Sequence, residues 1–307
     1  MLPSAPAPHD GRLPAPSWLS LDPRARQQFD KSPFTIGHRL AEQPLLTLPA
    51  LIELARHLPA DSVEYNAGDL PLSQDPALTP RTGLSIQDTL RDIETCRSWM
   101  VLKNIEQQSP YRKLVDECLD EVEAALGPLT PGMCARQGFV FVSSPQAVTP
   151  YHADFEYNFL LQIRGTKVVT VWEDQNRRLL SEEDRERVAT GGARNLPFED
   201  SFLTEGRPFE LRPGQGLHVP LSAPHCVRVA DDVSISLSIT FQSSVSHRVL
   251  SLHKANRWLR GHGITPRQVG ASPLADSLKF NAWRVMNRLR VIDDPPTRDS
   301  APSGSRY

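Results

Sequence analysis

Residues Thr149 to Lys167 read TPYHADFEYNFLLQIRGTK. Taken as extended chain, alternate side chains share a face, so His152, Asp154, Glu156, Asn158, Leu160 and Gln162 fall on one side and Phe159, Leu161 and Ile163 on the other. Arg164-Gly165 then marks a turn, and Lys167 opens the next strand, KVVTVW. A wall that is polar on one face and apolar on the other suits a barrel whose lumen is a reactive pocket.

The texture continues in both directions. GFVFVSS from Gly138, then FELRPGQGLHVP and VSISLSITF, are short β-branched or alternating runs separated by glycine and proline. Such a stretch without intervening helices suits an antiparallel double-stranded β-helix, the cupin or jelly-roll barrel, better than a parallel βαβ sheet. Only SEEDRERVA interrupts it with a helical pattern. The expected fold is a mainly β core over residues 131–246 with helical additions at both ends.

LTLPALIELARHLP, SIQDTLRDIETCRSWMVL and SPYRKLVDECLDEVEAALGP repeat apolar residues at three and four positions, which predicts a helical region over 31–130. Ser85 with Asp88 forms an N-cap pattern, Pro110 opens the third helix and Gly127-Pro128 closes it. Residues 247–292 return to a helical pattern. The first 30 residues and 293–307 are rich in proline, alanine or serine without a hydrophobic period, and both are expected to be disordered tails.

The chain has 307 residues and a net charge of −2, which gives no global pull toward nucleic acid or a membrane. Cys96, Cys118, Cys134 and Cys226 form no C-x-x-C pair, and no apolar stretch is long enough to span a bilayer. The expectation is a cytoplasmic protein with reduced thiols. Nine Lys or Arg against one acid between 247 and 291 predict a solvated helix face rather than a nucleic-acid surface, and the apolar residues among them a homodimer interface through the C-terminal helices.

With 9 histidines and 36 acidic residues in 307, about one H-x-[DE] tripeptide is expected by composition, so His152-Ala153-Asp154 alone decides nothing. Its meaning depends on a third ligand, and His225 in VPLSAPHCV, just before the last long strand, supplies one. Two histidines and a carboxylate form the facial set used by non-heme Fe(II) oxygenases, which leaves positions open, whereas catalytic zinc keeps one. Lys167 in an apolar strand calls for an anion. A 2-oxoglutarate cosubstrate would supply it, its far carboxylate on Lys167 with the Thr149 hydroxyl as second donor. His218 either lines this pocket or sits on a half-exposed strand, and Glu156 is not a ligand.

Thr149-Pro150-x-His152-x-Asp154, Asn158-Phe159, Gln162-Ile163-x-Gly165-x-Lys167, Pro213-Gly214 and Val219-Pro220 leading to His225 resemble the JmjC and cupin-like 2-oxoglutarate oxygenases. The resemblance is greatest to the protein-hydroxylase branch typified by factor inhibiting HIF, and it covers about a third of the chain, from Phe139 to Phe241. It implies Fe(II) held by His152, Asp154 and His225, 2-oxoglutarate held by Lys167 and Thr149 and touched by Asn158, and hydroxylation of an amino-acid side chain in a protein or peptide, with a small-molecule substrate next. The sequence departs from that branch at Thr240, where an asparagine is usual. It departs again at Ser222, Ala223 and Pro224, which replace aromatic residues before the distal histidine, and no upstream cosubstrate-binding tyrosine is evident. Two competing readings are a non-catalytic cupin-like metal-binding or regulatory protein and a metal-dependent isomerase or dioxygenase without cosubstrate. Neither uses Lys167, and no helix-turn-helix accompanies a regulatory role.

Overall fold

The computed structural model describes residues 17–289. Among them, twelve strands form two sheets and seven α-helices surround these. The first four strands are β1 (Leu19–Ser20), β2 (Phe34–His38), β3 (Val63–Ala67) and β4 (Ser98–Lys103). The barrel follows as β5 (Cys134–Ser143), β6 (Val148–His152), β7 (Tyr157–Arg164), β8 (Lys167–Val171), β9 (Arg207–Leu211), β10 (Gln215–Val219), β11 (His225–Val229) and β12 (Ser234–Gln242). The chain winds between an eight-stranded sheet, β1-β2-β10-β7-β12-β5-β4-β3, and a four-stranded sheet, β6-β11-β8-β9. All pairings are antiparallel, and this is the expected double-stranded β-helix.

Three expectations are corrected. The stretch from His152 to Gln162 is not one strand: β6 ends at His152 and β7 starts at Tyr157 in the other sheet, with Ala153–Glu156 crossing between them. Residues 31–130 are not mostly helical. Helices α2 (Leu48–His57), α3 (Ile86–Arg91) and α4 (Ser109–Leu126) are present, but the helix expected through SIQDTLRDIETCRSWMVL stops at Arg91, and SWMVLK becomes β4 with all six residues buried. A short apolar run buried on both faces has no periodicity that separates strand from helix, and Arg97 at φ 50° breaks the chain between the two. Residues 17–30, expected as part of the N-terminal tail, are packed, with β1 on β2 and a short helix α1 (Ala25–Gln28). Their anchors, Leu19 and Phe29, are too few to make a period. Residues 1–16 of that tail, the expected tail at 293–307 and Arg290 lie outside the described residues.

The local signals hold where they are strong. The Ser85 side chain accepts from Asp88 N at the start of α3, and α4 buries Leu114, Cys118, Val122 and Leu126 before Gly127 ends it at φ 58°. Helix α5 (Glu182–Ala189) occupies SEEDRERVA, capped by Ser181. The C-terminal helical region divides into α6 (Ser244–Gly261) and α7 (Pro273–Arg288). No helix among the described residues is long and apolar enough to cross a membrane.

The alternation in β7 sorts its side chains as expected. Phe159, Leu161 and Ile163 join the large core beneath α2 and α4, while Leu160 joins Val169, Leu211, Leu217 and Val227 in the core between the two sheets. Gln162, on the same face as Leu160, donates to Ser234 Oγ at 3.0 Å. The turn at Gly165 fixes this register. Gly165 sits at φ 69°, and a Cβ there would overlap the Val233 carbonyl oxygen. Gly165→Ala should therefore lower stability by roughly 2 kcal/mol or more in denaturant unfolding, through both the backbone conformation and the overlap.

Candidate metal centre

The pairing of β6 with β11 sets His152 directly opposite His225. Their rings lie 4.1 Å apart, and both residues are about 5% exposed. Each ring is turned by its own backbone: Nδ1 of His152 meets the Pro150 carbonyl at 2.8 Å, and Nδ1 of His225 meets the Ala223 carbonyl at 3.0 Å. With Nδ1 so engaged, both Nε2 atoms point toward Asp154 and lie 3.9 and 3.8 Å from its Oδ2. One ligand atom from each residue lies within 4.8 Å of the others, close enough for a single metal ion to reach all three. Carbonyls that fix the imidazole tautomer are the usual support of a metal-binding histidine.

Protonation suits this use. Burial and the neighbouring His225 bring His152 down to about 4, so it is neutral near pH 7. Burial pushes the Asp154 carboxyl up, but the Arg194 guanidinium and the two imidazoles outweigh it and hold the group at about 2. A neutral imidazole and an ionised carboxylate are the forms a metal needs.

Thr149 lies three residues from His152, which in a regular strand would put them on opposite faces. A bulge resolves this: His225 pairs with His152 and Val227 with Thr149, so two steps along β11 match three along β6. Pro150, which has no amide hydrogen to give the ladder, sits in the bulge. Thr149 is half-buried.

Lys167 starts β8 between Leu211 and Val229 in register, while Val171 at the other end of β8 pairs with His225. The lysine is 3% exposed and has no hydrogen-bond or ion-pair partner among the described residues. Burial drops its pKa to about 7. Asn158 and Thr240 oppose each other across β7 and β12. The Asn158 side-chain oxygen accepts from Ser238 Oγ at 2.8 Å, whereas the buried Thr240 Oγ1 has no partner. His218, by contrast, belongs to the other side of the large sheet. It is fully buried against Phe29, Phe34 and Phe159, and its Nδ1 faces the Asn158 carbonyl.

Arg194 is the residue that sequence reading missed. Residues 194–196 run beside the end of β6, with Ala153 N donating to the Arg194 carbonyl and Leu196 N to the Tyr151 carbonyl. This places the guanidinium against Asp154 Oδ1 at 2.6 Å and Glu156 Oε1 at 3.0 Å. Oδ1 is thus occupied while Oδ2 faces the histidines. Glu156 is the second ion-pair partner of Arg194. TGGARNLP carries no pattern that separates Arg194 from any other loop arginine.

No protein-family model matches the sequence, and no curated protein matches it. The structure is similar to the crystal structure of YcfD from Escherichia coli, with a TM-score of 0.52 and 15% identity over 91% of this chain and 69% of that one. YcfD in complex with cobalt and 2-oxoglutarate, described as a ribosomal oxygenase, aligns with a TM-score of 0.46 and 16% identity over 91% and 68% of the two chains. At this identity the likeness is one of fold.

Removing the group that holds Oδ1 should loosen the centre. Arg194→Met is expected to weaken Co(II) binding by about 10- to 100-fold in a calorimetric titration. Glu156→Gln, which loses only the outer ion pair, should cost clearly less.

Proposed function

We propose that the protein is an Fe(II)- and 2-oxoglutarate-dependent oxygenase that hydroxylates an amino-acid side chain of a protein or peptide. The observation that carries this reading is Lys167: a lysine 3% exposed, with no partner among the described residues, facing a barrel that also contains a buried His-Asp-His cluster. Both groups fit the residues present. Three lone-pair donors converge at His152, Asp154 and His225 and call for a cation, while Lys167 Nζ and the orphaned Thr240 Oγ1 call for an acceptor-rich anion.

In this reading His152, Asp154 and His225 hold the iron, and Arg194 keeps Asp154 ionised and turned. Lys167 and the Thr149 hydroxyl hold the far carboxylate of 2-oxoglutarate, with Asn158 and Thr240 beside it. When bound, Fe(II) and 2-oxoglutarate would supply, with dioxygen as the oxidant, the decarboxylation that yields succinate and carbon dioxide, one oxygen atom entering succinate and the other a substrate C–H bond. The chain's own part is to leave coordination positions open, to orient the cosubstrate and to keep water out with the apolar wall of Leu160, Val169, Leu217 and Val219. A purely metal-binding cupin would bury Lys167 at a cost with no return.

The protein or peptide substrate is carried over from the description of YcfD as a ribosomal oxygenase and from the resemblance to protein hydroxylases, and a small molecule is the next reading. We also propose that α7 pairs with a second copy, since Leu274, Leu278, Val285 and Leu289 form an exposed stripe at helical spacing. Sedimentation at micromolar concentration should show a dimer, and monomer alone would remove this.

Anaerobic protein loaded with Fe(II) and 2-oxoglutarate should show a weak visible charge-transfer band and form succinate once air enters. Folded, iron-loaded protein that does neither overturns the reading. His152→Ala should abolish metal binding, whereas Lys167→Met should mainly raise the 2-oxoglutarate requirement. A pH signature follows from the lysine. Between pH 7 and about 10 the unfolded chain holds a proton on Lys167 that the ligand-free fold has lost, so ligand-free stability rises with pH there. An anion on Nζ reverses the loss, so 2-oxoglutarate binding should take up a proton above pH 7 and weaken by up to about tenfold per pH unit. Calorimetry in buffers of different ionisation enthalpy reads this directly, and Lys167→Met should abolish it.

A further inference from the structure

The loop that ends in His225 is held by a residue far from the pocket. Ser222 lies in it at φ 60°, a left-handed conformation that serine rarely adopts. Its amide donates to the Asp154 carbonyl at 2.8 Å, and the next carbonyl, that of Ala223, is the one that orients His225 Nδ1. Ser222 therefore ties the loop that orients the His225 ring to the backbone of Asp154. Its own side chain is fixed from outside: Arg185 Nη1, on α5, donates to Ser222 Oγ at 3.1 Å, and both residues are 3–4% exposed.

Arg185 is costly where it stands. Its Nε and Nη2 are buried with no hydrogen-bond partner, and the nearest carboxylates, Asp174 and Glu182, stand 3.8 Å away. A guanidinium buried with three of its five N–H donors unused costs free energy that its two carboxylate neighbours at 3.8 Å offset only in part. What ties Arg185 to the loop before His225 is its hydrogen bond to Ser222.

We propose that Arg185 is a positioning residue of the metal centre, acting through Ser222 to hold His225 and Asp154 at the separation one ion requires. The proposal rests on the metal-centre reading above and adds to it a residue more than 30 positions from any ligand in sequence. It makes a prediction that a merely structural arginine would not: removing the Ser222 hydroxyl alone, with Arg185 and its carboxylate neighbours untouched, weakens the metal site by a similar factor.

The test titrates metal-free protein with Co(II) alone, following the visible ligand-field band and the heat, alongside urea unfolding of the same metal-free samples. Arg185→Met is expected to weaken Co(II) about tenfold or more and to alter the band, with the urea unfolding showing that the variant is folded. Ser222→Gly keeps the left-handed backbone available and removes only the hydroxyl, so it should weaken Co(II) similarly and serves as the test if Arg185→Met does not fold. The double variant should be no worse than the weaker single one, because both break the same link. Arg185→Lys, which can still donate to Ser222, should recover part of the affinity. Folded variants that bind Co(II) with wild-type affinity and spectrum, or losses that add in the double variant, overturn the role of Arg185. Wild-type protein that shows no Co(II) band overturns the metal-centre reading itself.

Discussion

One rung of the four-stranded sheet governs the rest of the molecule: His152 opposite His225, joined across the β6–β11 ladder from positions 73 apart in the chain. A slip of one residue in that ladder would turn one histidine to the outer face, and no side-chain adjustment could restore the cluster. The register is accordingly fixed from both sides. β8 pairs with β11 without a shift, from His225 opposite Val171 to Val229 opposite Lys167, and β6 absorbs its extra residue in a bulge at Pro150. The ladder that aligns the histidines is the same one that places Lys167 four residues away along β8, about 13 Å of strand, on the face they share. The His-Asp-His cluster and the buried lysine, the two ends of the proposed site, are thus set by one strand pairing.

Charge is distributed along that lumen in an order that anticipates its occupants. Asp154 has a cation on one oxygen and two imidazoles near the other, so it is ionised before any metal arrives. Lys167 has the opposite situation: it has no ion-pair partner among the described residues, and burial lowers its pKa to about 7. A site prepared on one side and unsatisfied on the other differs from a structural ion-pair network, in which both signs are met internally. Lys103 with Glu64, a buried pair 2.6 Å apart elsewhere on the large sheet, shows what the satisfied arrangement looks like in this protein.

What was legible in the sequence was what strand periodicity and residue chemistry encode. The alternation in β7, the turn at Gly165, the helix cap at Ser85 and the grouping of His152, Asp154 and His225 could be read, because each depends on neighbours close in the chain or on residue types with few other uses. The reading placed Thr149 with His152 although a regular strand separates their faces, and the bulge that unites them had no signature beyond a proline. It also carried one strand through Asp154, where the chain in fact changes sheets. Arg194 and Arg185 were invisible for a different reason. Each acts from a loop or helix whose position over the barrel is a product of the whole fold, and an arginine in a polar segment resembles any solvated one.

The N-terminal segment shows how far composition can mislead about constraint. Residues 17–30 follow a proline- and alanine-rich start, yet Trp18 N and Leu19 N donate to Glu121, and Phe29 stacks on the buried His218. Asp30, held at φ 57°, accepts from Leu221 N at 3.0 Å, one residue before Ser222. The short loop leading to His225 is therefore gripped at adjacent positions by two elements outside the barrel strands, Asp30 on one side and Arg185 on the other. A loop of five residues between β10 and β11 has little intrinsic preference for one conformation, and here it must hold a carbonyl to within a hydrogen bond of His225 Nδ1. Its rigidity comes from distant side chains, so the accuracy of the metal centre is built into the packing of the N-terminal segment and α5 as much as into the barrel.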